Sequence, residues 1–114
     1  MRLITDTISI TELERMASKM FNHLVKAVVD INQGIMVVDA ELHADQETFL
    51  LEHGSEQEHL WGINLHPAKF GLEDFIEFDS MINLRPSWGN VSRGVEDERV
   101  QQQIIAIVSR LVVA

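Results

Sequence analysis

The chain has no cysteine and no tyrosine, and only two prolines. Without cysteine there is no disulfide framework, no thiolate metal site and no thiol nucleophile. No apolar run approaches the roughly 18 residues that a membrane-spanning helix needs. The first ten residues, "MRLITDTISI", place Asp6 where a signal peptide would be uniformly apolar, so a cytoplasmic protein is expected. Positive charge is also missing over a long interval, because no Lys or Arg lies between Lys26 and Lys69. That interval holds Asp30, Asp39, Glu41, Asp45, Glu47, Glu52, Glu56 and Glu58, within a net charge of −9. Such a surface repels phosphate backbones and acidic headgroups, which disfavours nucleic acid and membranes as partners. It either keeps the protein soluble or meets a cation or basic partner. The chain has no Gly-rich phosphate loop, no dinucleotide fingerprint and no Gly-x-Ser-x-Gly. Its histidines lack H-x-x-x-H or H-E-x-x-H spacing, so neither a cofactor nor a metal is indicated.

What is present reads as one α+β domain over 1–114. "RLIT" suits a short edge strand. Ser9 and Glu12 are spaced as a capping box, and Ile10, Leu13, Ala17, Met20, Phe21 and Leu24 follow as a helical stripe. "VKAVVDINQGIMVVDAEL" is a hairpin whose turn, Asn32-Gln33-Gly34, needs a left-handed glycine. "HADQETFLLEHGS" is a short helix ended by Gly54, and "LWGINLHP" is a strand with Trp61, Ile63 and Leu65 on one face. "DFIEFDSMINLR" alternates for longest and predicts a strand that buries Phe78 and Ile82. After Pro86 the acids Glu96 to Glu98 open a last helix striped by Val100, Ile104, Ile107, Val108 and Leu111. The order is β-α-β-β-α-β-β-α: a mostly antiparallel sheet of about five strands with three helices, largely on one face. A ferredoxin-like core with an extra strand and helix is the alternative.

Chemistry could sit in two places. Alternation puts Asp39, Glu41 and His43 on one side of their strand, and Glu77, Asp79, Asn83 and Arg85 on one side of the long one. These side chains are either an ordinary polar sheet face or a cation site; a metal drawn from Glu41, His43, Asp45 and His66 is the weaker thought. The loop "RPSWGNVSRG" is the other place. Arg85 and Arg93 could grip an anion, Asn90 and Ser92 add donors, and Trp88 could stack on a planar group. Alternatively the arginines pair with nearby acids such as Asp79, and the loop is a clasp. The candidate ligand residues are therefore His43, Asp79, Asn83, Arg85, Trp88, Asn90 and Arg93.

"VKAVVDINQGIMVVDAELHAD", "LWGINLHP", "EFDSMINLRPSWGNVSRGVED" and the C-terminal helix resemble a family of small uncharacterised bacterial and archaeal proteins, catalogued as a domain of unknown function. The resemblance spans nearly the whole chain. It implies a compact stand-alone α+β protein, with no activity, cofactor or catalytic residue to carry over. It also implies a polar residue at position 88, which sets Trp88 apart. Two functions are expected: a non-catalytic binding or protein-interaction module, with a homodimer as one form, or a small hydrolase-like enzyme acting on an anionic small molecule. In the second, Arg85 and Arg93 orient substrate and His43 or Asp79 is the base.

Overall fold

A computed structural model describes residues 1–20 and 22–114. Phe21, placed by periodicity on the first helical stripe, lies outside the described residues. A strand β1 (Arg2–Ile4) is followed by a short β2 (Ile8–Ser9) and helix α1 (Ile10–Ser18). Ser9 caps α1 as its spacing requires, its Oγ accepting from the Glu12 amide at 3.2 Å. The Glu12 carboxylate pairs outward with Arg2 at 3.4 Å. The helix stops at Ser18, earlier than the expected stripe, which ran on to Leu24.

The hairpin forms as expected from β3 (Val25–Asp30) and β4 (Ile35–Val38), with Gly34 at φ +70°. Its turn is held by Asp30, which is almost wholly buried. The Asp30 carboxylate accepts from the Asn32 and Gln33 amides, from Gln33 Nε2 and from Ser55 Oγ. Helix α2 (His43–Glu52), strand β5 (Leu60–Leu65) and a two-residue β6 (Ile76–Glu77) follow. Helix α3 (Glu98–Leu111), capped by Asp97, leads into β7 (Val112–Val113). The five-stranded sheet has the order β1-β4-β3-β5-β6, with every pairing antiparallel. A separate parallel pair, β2 with β7, ties the start of α1 to the end of α3.

The strand order decides where the helices go. Chain passing from β1 through α1 to β3, and from β4 through α2 to β5, moves two places in the same direction across the sheet. The two strand pairs run in opposite senses. Right-handed crossovers in both must then put α1 and α2 on opposite faces. They are on opposite faces, which corrects the expectation of helices largely on one. Leu13 and Met16 of α1, with Ile104 and Val108 of α3, pack on Val29, Met36 and Ile63. Leu50 of α2 packs on Val28, Val37 and Leu60 of the other face. The ferredoxin-like alternative is not what forms, because β5 lies beside β3 and β1 stays at the edge.

Both faces being covered explains why β5 is buried at every position. It also removes the expected exposed polar face. β4 ends at Val38, Asp39 turns the chain at φ +63°, and His43 begins α2 rather than lying on a strand beside Glu41.

The long strand expected through Arg85 is the other correction. β6 stops at Glu77, and residues Met81–Asn83 and Pro86–Trp88 form single turns of 3-10 helix. Phe78 and Ile82 are consequently only half-buried. Glu77 is exposed and Asp79 is salt-bridged, as the alternation suggested.

Candidate functional site: a polar loop and an apolar cleft

Along Leu60–Ile63 no strand among the described residues pairs with the outer edge of β5. An open edge exposes unpaired peptide groups. Here side chains of the 80–96 loop fill it. Asn83 Oδ1 accepts from the Gly62 amide at 2.8 Å, and Asn83 Nδ2 donates to the Gly62 carbonyl at 2.9 Å. A side-chain amide carries the same donor and acceptor as a peptide, so Asn83 continues the ladder without a strand. Gly62 is what lets the loop approach: a Cβ there would meet Ser80 Cβ at 2.5 Å. A glycine inside a strand marks such an approach, and Gly62 is the sequence signal for this contact.

Two residues along, Arg85 serves the next carbonyls as donor. Its Nη1 donates to Gln57 O at 3.0 Å, its Nη2 to Leu60 O, and its Nε to Ile82 O at 3.0 Å. The guanidinium lies 4.5 Å from the Trp61 ring centroid and 5.6 Å from that of Trp88. Stacking between two indoles stabilises a cation taken from water. Burial nevertheless pulls Arg85 below the ordinary guanidinium value, with the Glu47 charge opposing. The group stays protonated.

Asn90 organises the rest. Arg85 and Asn90 exchange backbone hydrogen bonds of 2.8 and 3.1 Å, closing a tight turn with Gly89 at φ +85°. The buried Asn90 side chain donates to the carbonyls of Asn83, Ser92 and Gly94 and accepts from the Glu96 amide. Arg93 donates from Nε to Asp79 at 2.6 Å, an exposed pair. Its carbonyl accepts from the Ser80 amide and from Asn83. Thus Asp79 is the internal anion for Arg93, whereas Arg85 uses backbone carbonyls instead of an acid.

His43 lies at the start of α2, its Nε2 2.7 Å from the Ile63 carbonyl, which can only accept. Burial pushes this imidazole below the ordinary histidine range, against the hydrogen bond and the Asp79 charge. His66, another residue considered for metal, contacts Glu77 at 3.2 Å. Among the described residues, the acids and histidine near enough to share an ion are Glu56, Glu58 and His59, a different set. Of the sequence candidates, then, Asn83, Arg85, Trp88, Asn90 and Arg93 share one loop, with Asp79 joined to it through Arg93. Outward from residues 81–91 the large side chains Met81, Leu84, Trp88 and Val91 are all exposed, with Ser87 among them.

A second place was not foreseen. A cleft of about 450 Å³ opens between the segment 70–78 and α3. Its floor is buried Phe75, Val108 and Val112, and its walls include Phe70, Phe78 and Ile105. Phe70 meets Phe75 edge-on at 5.3 Å. Reading Phe78 as a strand residue directed into the core hid this wall.

No helix among the described residues is long and apolar enough to cross a membrane. No curated protein and no solved structure matched the chain. A family model described as "Protein of unknown function (DUF5674)" matches residues 2–111, nearly the whole length, including the hairpin, β5 and the loop that seals its edge. The chain belongs to the DUF5674 family.

Proposed function

We propose that the chain is a non-catalytic interaction module that pairs with a second copy of itself through residues 81–91. The observation that carries this reading is the contrast within the loop. Asn83, Arg85 and Asn90 spend their polar groups on backbone partners, which fixes the loop. The side chains left outside are large and apolar, with Met81 61% and Trp88 56% exposed. A rigid segment presenting a tryptophan and several aliphatic side chains has the make-up of an interface centre.

Charge selects the region. Two copies meeting through the acidic interval, which has no Lys or Arg from 27 to 68, would repel. Around the loop both signs are present, in Arg93, Asp79 and Glu96. A patch on a two-fold axis must complement itself, and an apolar centre with mixed charges at its rim can do so.

The anion-binding enzyme is the second reading. Arg93 would have to leave Asp79, and Arg85 its three carbonyls, before both could hold one substrate. Sedimentation equilibrium over a wide concentration range tests the proposal. A reversible dimer is expected, which Trp88→Glu turns into a monomer that still unfolds cooperatively. A parent that stays monomeric, or a variant that still dimerises, overturns it. Stabilisation of the parent by added phosphate, lost in the Arg85→Ala/Arg93→Ala double variant, would support the enzyme reading instead.

A further inference from the structure

We propose that the cleft between residues 70–78 and α3 binds a small molecule with an apolar body and one protonated amine. The cleft shares no lining residue with the loop, so the inference stands apart from the self-association proposed above. At about 450 Å³ it falls within the size range of small-molecule sites, roughly 300 to 1,000 Å³. Its floor is built into the main core through Phe75, Val108 and Val112, so it does not depend on mobile side chains. Phe70, Phe78 and Ile105 supply walls for an aromatic or aliphatic body.

The segment that forms the outer wall is closed on itself. Phe70 and Leu72 amides donate to Pro67 and Lys69 carbonyls, Phe75 N–H donates to Leu72 O, and Lys69 pairs with Asp74 at 3.1 Å. The hollow is thus a feature of the backbone path rather than a gap that packing would close.

Charge sets the class of ligand. Glu73 is the one ionisable group in the lining, and Ser109 is the one hydroxyl. The neighbouring Asp74 charge is balanced by Lys69, and Glu73, which lines the cleft, has no ion-pair partner among the described residues. A carboxylate bordering an apolar hollow attracts a cationic head and repels an anionic one, more so on a chain of net charge −9.

A matched pair of probes tests this: 4-phenylbutylamine and 4-phenylbutyrate, which share a body and differ in the sign of the end group. Titrations followed by methyl and amide NMR should show saturable shifts at Ile105, Val108 and Val112 with the amine. The acid should bind about fivefold or more weakly, the effect of reversing one surface charge contact. Glu73→Gln, an exposed change, should bring the two affinities together. Ser109→Phe, on the exposed side of α3, should fill the hollow and abolish both titrations. No saturable shift, shifts confined to other residues, or equal affinity of the two probes for the parent would overturn the proposal. So would a Ser109→Phe protein that binds as before. If sedimentation shows the parent to be a dimer that Ser109→Phe dissociates, the cleft belongs to a second copy and the proposal falls.

Discussion

The 66–78 segment and the 80–96 loop follow one another in sequence and both lie outside α-helix and β-strand for most of their length, yet they are held by opposite means. The loop is held by polar side chains turned inward: Asn83, Arg85 and Asn90 are buried and bonded to backbone. The preceding segment is held by buried Phe75 and Pro67, with a few backbone turns and an exposed ion pair. Hydrogen bonds are directional and fix a backbone path closely, so the first region is sealed. Apolar contacts specify area rather than direction, so the second can settle around a hollow. Buried amides make a rigid surface; apolar packing leaves a cleft.

The hardest way to break the comparison is to remove an amide. Asn83→Ala strands the amide and carbonyl of Gly62, and urea unfolding should show a loss of about 3 to 4 kcal/mol. A loss below about 1 kcal/mol would mean water replaces the side chain and the loop is not held as described. On the apolar side the expected effect is smaller. Phe78→Ala should cost about 1.5 to 2 kcal/mol by the same measurement, less than a fully buried phenylalanine, because the ring is half-buried beside the cleft.

Acidity tests a contact outside both regions, where α2 meets β5. His43 has its value lowered by burial, so the unfolded chain takes up this proton first as pH falls. Its stabilising effect is complete above the unfolded value of about 6.5 and is lost as pH drops towards the folded one. Unfolding measured at about pH 7.5 and about pH 5.5 should therefore show a larger loss for the parent than for His43→Gln. An equal loss in both proteins would mean that His43 protonates freely in the fold. The smallest effect concerns the exposed pair. Arg93→Ala should cost about 0.2 to 1 kcal/mol, falling towards zero in high salt, since water screens the contact with Asp79. A larger, salt-independent loss would show that Arg93 holds the loop as firmly as Asn83 does.

Local physics was legible in the residues. Ser9 with Glu12 announced the start of α1, Gly34 the hairpin turn, and the Val100–Leu111 stripe the last helix, because capping, positive φ and helical periodicity involve only near neighbours. The loop "RPSWGNVSRG" stood out for its side chains, and the Arg93–Asp79 pair follows from their proximity in the chain. The partners of Arg85 did not, since Gln57 and Leu60 lie more than twenty residues away and offer only carbonyls, which every residue has.

The alternation from Ile76 to Arg85 misled for a related reason. Period-two patterning describes a residue's two environments, and here Asn83 and Arg85 are buried by bonding to a strand edge, not by lying in one. The sequence by itself determined the three helices, the hairpin, the turn glycines, the acidic surface and the α+β class. Only the tertiary structure decided that β5 lies beside β3, that α1 and α2 therefore take opposite faces, and that side-chain amides finish the sheet. Strand order and edge closure depend on contacts between distant residues, and in a single chain those contacts leave no periodic trace.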